Sequence, residues 1–421
     1  MWTRLTWIVA ILALVAIGFL MACSTKYSSS STSNALVVVP SQGSAVMQSF
    51  SINLANGESS QINNVNGPPT PGLPTAVILD PAGKFAYVIM KQSAALVPSV
   101  TGIGVFPIGS DGKLGPATTA TLNNNGGTPV VPVALAMDSA GKFLFVANSG
   151  ISGAPGSVSV LPIGSDGSLT ELPTSPYPLP VEPGGSTPSA SALALSRTTY
   201  PVQFSFCSGH TAPATENLYV TDSVNYVLLN YSVDPSAGAL TLMPYSSSLP
   251  GIPTGSVPSG IAVDPCNRFA YVANAGPGSS QNTVSAFSIC SAINLLSTPI
   301  CPVADFSLHP IASPYPAGDS PGPIAVDAYG SFLYVVNTGS SNISGYKISP
   351  STGALTAFIG QPVASGLGAN SIAIRSDDSW IFVANTNSTS VSQYSLVFST
   401  GILSPVGPIN TLDYPSGVAV K

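Results

Sequence analysis

One phrase recurs along this chain of 421 residues. It is a short strand of the form apolar–Ala–apolar–Asp, a tight turn, and an aromatic-rich strand that closes on Asn. "AVILDPAGKFAYVIM" begins at Ala76, and "ALAMDSAGKFLFVAN" runs from Ala134 to Asn148. "GIAVDPCNRFAYVAN" runs from Gly260 to Asn274, "PIAVDAYGSFLYVVN" from Pro323 to Asn337, and "SIAIRSDDSWIFVAN" from Ser371 to Asn385. A broken copy has "ALALS" at Ala192 and "NLYVTD" only at Asn217, with about twenty extra residues between. Equivalent positions (Asp80, Asp138, Ser196, Asp264, Asp327, Arg375 and Lys421) lie 46 to 68 residues apart. A phrase repeated at such a period dictates a repeat architecture in which each unit buries its apolar face against the next.

A second phrase follows each first one: strand, tight turn, strand. "GVFPIGSDGKLGPA" and "SVLPIGSDGSLTEL" share "PIGSDG", and "SGYKISPSTGALTAF" is a close variant. Gly in the "DG" and "TG" pairs supplies the positive φ of a hairpin. One Asp per turn is too few hard oxygens for a calcium loop. Each unit therefore holds four strands, first to fourth. The second is apolar on both faces: Phe269, Tyr271 and Ala273 point one way, Ala270 and Val272 the other. Such a strand is covered on both sides. A radial array of four-stranded blades covers it, because every blade packs between two neighbours.

Complete sets begin near residues 75, 132, 189, 258, 322 and 370. Before the first lies "ALVVVPSQGSAVMQSFSINLANGESSQI", which lacks a first strand; after the last lies "PSGVAVK", a first strand alone. Joined, the fragments complete a seventh blade and leave the ring no free edge. The expected fold is all-β: a seven-bladed β-propeller of four-stranded antiparallel blades, closed by the C-terminal strand joining the N-terminal blade.

Composition agrees. Gly and Pro number 40 each, and charged residues are 7% of the chain, against roughly 25% in ordinary soluble proteins. A two-layer sandwich would need charge on its outer faces that this chain lacks. The formal charge is −6 with no Lys/Arg cluster, which excludes a nucleic-acid groove. At the N-terminus, Arg4 precedes an apolar run from Trp7 to Ala22, a targeting segment. Its end, "LMAC", resembles a bacterial lipobox. The resemblance implies a lipoprotein signal peptide over 1–22, acylation of Cys23, and a Ser-rich tether over 23–34, with the propeller occupying 35–421. The implied location is exported and lipid-anchored in the cell envelope, the outer membrane rather than the inner because Ser24 follows the cysteine. The membrane is then a partner through that anchor.

The blade phrases "AGKFAYV", "FVAN", "YVVN", "STGALT" and "SPYPAGDSPGP" resemble bacterial YVTN-repeat and seven-bladed lactonase-type propellers, including 6-phosphogluconolactonase-like proteins. The resemblance covers nearly everything from about Ala35 to Val420. It implies a propeller fold and a lactone hydrolase activity, but the repeated motifs build blades and name no catalytic residue.

Chemistry is harder to place. Asp80, Asp138, Asp264 and Asp327 are expected to bond backbone amides of the first–second turn. Asn148, Asn274, Asn337 and Asn385, with Asp222 in the fourth blade, are expected to cap the second–third turn. Interblade loops and second–third turns share one face, usually the ligand face. Placing residues there gives Lys91, Glu182, Asp222, Asp319 and Asp413, with Tyr177 and Tyr315, as candidate binding residues. Lactone hydrolysis requires a base and oxyanion donors. Only His210 and His309 exist, neither in a motif, and no GxSxG, HExxH or phosphate loop appears. No cofactor or metal motif is present. Of the remaining cysteines, Cys207 and Cys266 fall in neighbouring first–second turns, and Cys290 and Cys301 span one hairpin. Bridges 207–266 and 290–301 are expected in an oxidising compartment. The expected function is a module binding a sugar-like ligand or an envelope protein; a lactonase-like hydrolase and a purely structural envelope protein are the alternatives.

Overall fold

The two apolar faces of each second strand go to two different seams. The computed structural model describes residues 34–62, 67–92, 101–151, 153–198, 213–291, 306–311, 314–358, 360 and 362–421. Its strands form seven antiparallel sheets, the blades of a seven-bladed propeller. In blade 3, Phe143, Phe145 and Ala147 join the apolar cluster shared with blade 4, while Leu144 and Val146 join that shared with blade 2. The same alternation produces one buried cluster at every seam of the ring. A pleated strand alternates its side chains by period two, so a strand apolar throughout requires a neighbour on each side.

The innermost strands are Leu73–Leu79, Val131–Met137, Ala190–Leu195, Pro258–Val263, Pro321–Val326, Ala369–Ile374 and Ala419–Val420. They stand side by side around the ring. The last of them pairs antiparallel with Asn34–Ser41, placing Val420 opposite Val37 and Ala419 opposite Val38. Ser416 N donates to Pro40 O at 3.0 Å, and Lys421 N donates to Leu36 O at 3.0 Å. Blade 1 thus takes its innermost strand from the C-terminus, as the two fragments required.

Hairpin glycines explain a second regularity. In blade 3, Gly167 (φ 81°) lies against the ring of Phe85 from blade 2; in blade 7, Gly401 (φ 73°) lies against Phe332 from blade 6. A Cβ at Gly167 would come within 2.5 Å of Phe85. The turn needs positive φ, and the aromatic at the start of the preceding blade's second strand needs the space. Tyr87 and Tyr334 donate to the carbonyls of Gly167 and Gly401 at 3.3 and 2.7 Å, tying the same seams.

A third tie lies nearer the axis, where register shifts by one residue in the innermost strands of blades 2 to 7. There a hydroxyl donates to a carbonyl at the start of the next blade's innermost strand. Ser416 donates to Pro74 O, Ser191 to Pro258 O and Ser259 to Pro321 O, each at 2.6 Å. Blade 6 has Gly322 at this position, and Thr338 reaches Ala369 O instead at 2.7 Å. Thr386 reaches Pro415 O at 3.1 Å. On either side of blade 3 the bond is missing among the described residues. Thr75 Oγ1 is buried without a partner, and blade 3 itself carries Val133.

Candidate functional site

The expected ligand face comes first. Asp222 is fully buried, accepting from Ser189 N (2.9 Å), Val224 N (3.0 Å) and Asn225 Nδ2 (2.7 Å). Glu182 is buried and accepts from Gly251 N at 2.9 Å. Burial pushes the Glu182 carboxyl above its ordinary value, and the charge of Asp222 adds to the rise. Asp413 accepts from Ser44 N and Ser44 Oγ at 2.9 and 2.6 Å. Asp319 is exposed, with Asn282 Nδ2 at 3.4 Å. Tyr177 shares a hydrogen bond with Thr174 at 2.9 Å. Tyr315 packs on the core between blades 5 and 6. Lys91, half-buried, ends the second strand of blade 2. Each group apart from Lys91 serves its own loop or seam, and apart from Glu182 and Asp222 the structure does not gather them. Asn337 and Asn385 accept from Gly318 N and Gly366 N at 3.0 and 3.1 Å, and their amides donate to third-strand serines; they brace turns.

The opposite face holds a different arrangement. Asp138 accepts from Lys142 N and Phe143 N at 2.6 and 2.7 Å, which fixes the first–second turn of blade 3. Asp80 and Asp327 repeat this pattern in blades 2 and 6. Beside those turns, where the innermost strands of blades 2, 3 and 4 end, lies a cavity of about 440 Å³. Its walls are apolar (Ile78, Leu79, Leu135, Met137, Leu193, Leu195), and its polar lining is Asp138, Ser139, Ser196 and Arg197.

Arg197 follows the residue that carries Asp in the regular blades. Its main chain is clamped from both sides: Arg197 N donates to Asn267 Oδ1, and Asn267 Nδ2 donates to Arg197 O, both at 2.8 Å. Asn267 is fully buried at φ 55°. The side chain is open to solvent within the cavity yet walled by protein, and lost hydration holds its pKa below the arginine norm against the pull of Glu216 and Asp264. Among the described residues its guanidinium has no hydrogen-bond partner. Next to it Asp264 is spent on Arg268, an ion pair at 2.6 Å with both partners buried.

Glu216, which precedes the second strand of blade 4, is 5% exposed. Its Oε1 accepts from Ser139 N at 2.9 Å and from Ser139 Oγ. Its Oε2 is buried without a partner among the described residues. Burial raises its pKa above 4.5, the Ser139 bonds pull it back, and Asp138 adds to the rise. A desolvated carboxylate held by a hydroxyl, within electrostatic reach of a cation in the adjoining cavity, is the combination that proton transfer and anion stabilisation require.

Neither Arg197 nor Glu216 was singled out by sequence. The available signal was the irregular fourth blade: a cation next to the position that is Asp elsewhere, and an acid just before "NLYVTD". His309 lies on the outer side of blade 5, with Nε2 3.3 Å from Ser307 Oγ. Cys266 and Cys290 are disulfide-bonded. Cys23, Cys207, His210 and Cys301 lie outside the described residues, so the expected pairings stay expectations.

Comparison with known proteins completes the picture. Residues 29–179 and 302–421 match the family described as lactonase, seven-bladed β-propeller. No curated protein matches the sequence. A candidate 6-phosphogluconolactonase from Bacteroides fragilis superposes with a TM-score of 0.69 at 20% identity, covering 93% of this chain and 99% of that one. One from Bacteroides uniformis gives 0.68 at 18%, covering 93% and 100%. The periplasmic gluconolactonase of Pseudomonas aeruginosa gives 0.67 at 17%, covering 92% and 99%. At such identities the likeness carries the fold alone.

Proposed function

The chain belongs to the seven-bladed β-propeller lactonase family, and from that premise we propose that the cavity bounded by blades 2 to 4 hydrolyses a sugar lactone. The single observation that carries the reading is Arg197, whose guanidinium has no hydrogen-bond partner among the described residues, lining a cavity within electrostatic reach of the desolvated carboxylate of Glu216. Lactone opening builds negative charge on the carbonyl oxygen, and a confined cation stabilises it far better than water does. The attacking oxygen must lose a proton, and a carboxylate made more basic by burial accepts it. The names of the Bacteroides and Pseudomonas proteins supply the substrate class, a gluconic-acid lactone with or without a phosphate.

The test is hydrolysis of glucono-δ-lactone and its 6-phosphate, followed by proton release against the spontaneous rate. Turnover that falls roughly 10²–10⁴-fold in Glu216→Gln supports the reading. Lactone binding without turnover sinks it and returns the protein to a non-catalytic ligand-binding propeller. Neither binding nor turnover leaves a structural envelope role. Export and lipid anchoring through Cys23 belong to the same proposal. Disulfide bonding at Cys266 and Cys290 supports an oxidising compartment, and the Pseudomonas protein is named as periplasmic.

A further inference from the structure

We propose that Ser139 is the nucleophile of this site, so that hydrolysis passes through an ester on its Oγ. The inference rests on the lactone-hydrolysing reading and deepens it.

Two bonds join Ser139 to Glu216, and they differ in kind. The bond from Ser139 N is architectural, because it repeats around the ring. The residue after the turn Asp, or its equivalent, donates its N–H to a side chain of the next blade three times: Ser139 to Glu216, Arg197 to Asn267, and Ala328 to Asp378. The bond from Ser139 Oγ has no counterpart at the other two, where the donor residue is Arg or Ala. At blade 3 alone of these seams, a hydroxyl joins the same carboxylate oxygen.

That hydroxyl is half-buried and lines the cavity with Arg197. Thr198 Oγ1 lies 2.8 Å from Ser139 Oγ. With Ser139 donating to Glu216, Thr198 donates to Ser139 at 2.8 Å in preference to Glu216 Oε1 at 3.5 Å, and one lone pair remains for attack. The serine's partner is a desolvated acid whose second oxygen has no partner among the described residues. A weak nucleophile hydrogen-bonded to a base that is itself held in place is the general arrangement for covalent catalysis by an alcohol.

The steps balance. Ser139 Oγ bonds to the lactone carbonyl carbon as its proton passes to Glu216, and the carbonyl electron pair moves onto the oxygen, for which Arg197 is the cation at hand. Collapse breaks the ring C–O bond, and the ring oxygen takes the proton from Glu216. The hydroxy acid is then an ester of Ser139. Water attacks that ester while Glu216 takes the water's proton. Ser139 Oγ leaves, recovers the proton, and the product is the free hydroxy acid.

The experiment uses the exported chain and glucono-δ-lactone. Wild type and Ser139→Ala are compared in rate and melting temperature, and wild type is treated with a fluorophosphonate with and without lactone, the label being mapped by peptide mass. Expected are a roughly 10²–10⁴-fold loss of rate at unchanged melting, and labelling of Ser139 that lactone protects. Full rate in Ser139→Ala overturns the nucleophile and leaves Glu216 acting directly on water, with lactone hydrolysis intact. No turnover by wild type overturns the underlying reading and this one together. If Ser139→Ala does not fold, the label decides: inactivation without modification at Ser139 refutes the proposal.

Discussion

Deleting Pro415–Lys421 removes the innermost strand of blade 1, and the structure gives the size of the loss. Val418 and Ala419 are 4% and 8% exposed; burying a Val stabilises by about 1.5–3 kcal/mol. Hydrogen bonds go with them, among which five are well formed: Ser416 N to Pro40 O, Lys421 N to Leu36 O, Leu36 N to Lys421 O, Ser416 Oγ to Pro74 O, and Val418 N to Ser371 Oγ. At about 1 kcal/mol each, the total reaches about 8 kcal/mol, comparable with the whole stability of many domains. The assay is urea unfolding followed by circular dichroism, for chains ending at 421 and at 414. The truncated chain is expected to lose its cooperative transition or aggregate through the exposed edge of Asn34–Ser41. A synthetic Pro415–Lys421 peptide added in excess is expected to restore part of it. An unchanged midpoint in the truncated chain would refute the closure argument, and Ser416→Ala, expected to cost about 1 kcal/mol, provides a milder check.

Other expectations follow from single residues. Gly401→Ala forces a Cβ to within about 2.5 Å of Phe358 and Phe332 at φ 73°; a loss of about 2–3 kcal/mol is expected in urea unfolding. Burial lifts Asp327 to about 6 and Asp378 to about 7 from the ordinary 3.8 of an aspartate, each raised further by a neighbouring acid. Acids with raised folded-state values bind more protons folded than unfolded, so their contribution is fully present below about pH 4 and fades as pH rises through 6 to 7. Asp378→Asn is therefore expected to raise the melting temperature at pH 8 and not at pH 4; equal gains at both would contradict the assignment. For catalysis the active form of Glu216 is the carboxylate, and burial raises its pKa. The acidic limb of the pH–rate profile is expected above the ordinary carboxylate range and to vanish in Glu216→Gln.

The ring was legible because its signals are redundant. Seven copies of a strand apolar on both faces admit few arrangements, and the unmatched phrase at Pro415 points to its missing partner near Ala35. Turn chemistry was equally plain: Asp138 and its counterparts bond the amides that their Asp–x–x–Gly context suggests. The cavity was not legible, and the reason is topological. Arg197 and Glu216 flank an insertion in the one irregular blade, while Ser139 belongs to the blade before it. They meet only because first–second turns of adjacent blades touch, a contact that no spacing within the sequence encodes. Reading charge on the opposite face found real residues, but loops there consume theirs. Asp222 caps its own turn, Glu182 ties a neighbouring loop, and Asp413 holds Ser44.

The uneven hydroxyl ties give the ring a soft place. Among the described residues blade 3 has no hydroxyl bond to either neighbour near the axis, its ties to blade 4 lying at Ser139 instead, whereas Ser191 and Ser259 stitch blades 4, 5 and 6 together. Local opening follows the regions with fewest such bonds. Amides of Ala134–Met137 are then expected to exchange with deuterium faster than those of Ile261–Val263, though both strands occupy the same place in their blades. Blade 3 also carries Asp138 and Ser139, and Ser139 is held to blade 4 through Glu216, so the slack lies at the other end of its innermost strand. Breathing there loosens the ring between blades 2 and 4 while the bonds of Ser139 to Glu216 keep the cavity's polar end in place.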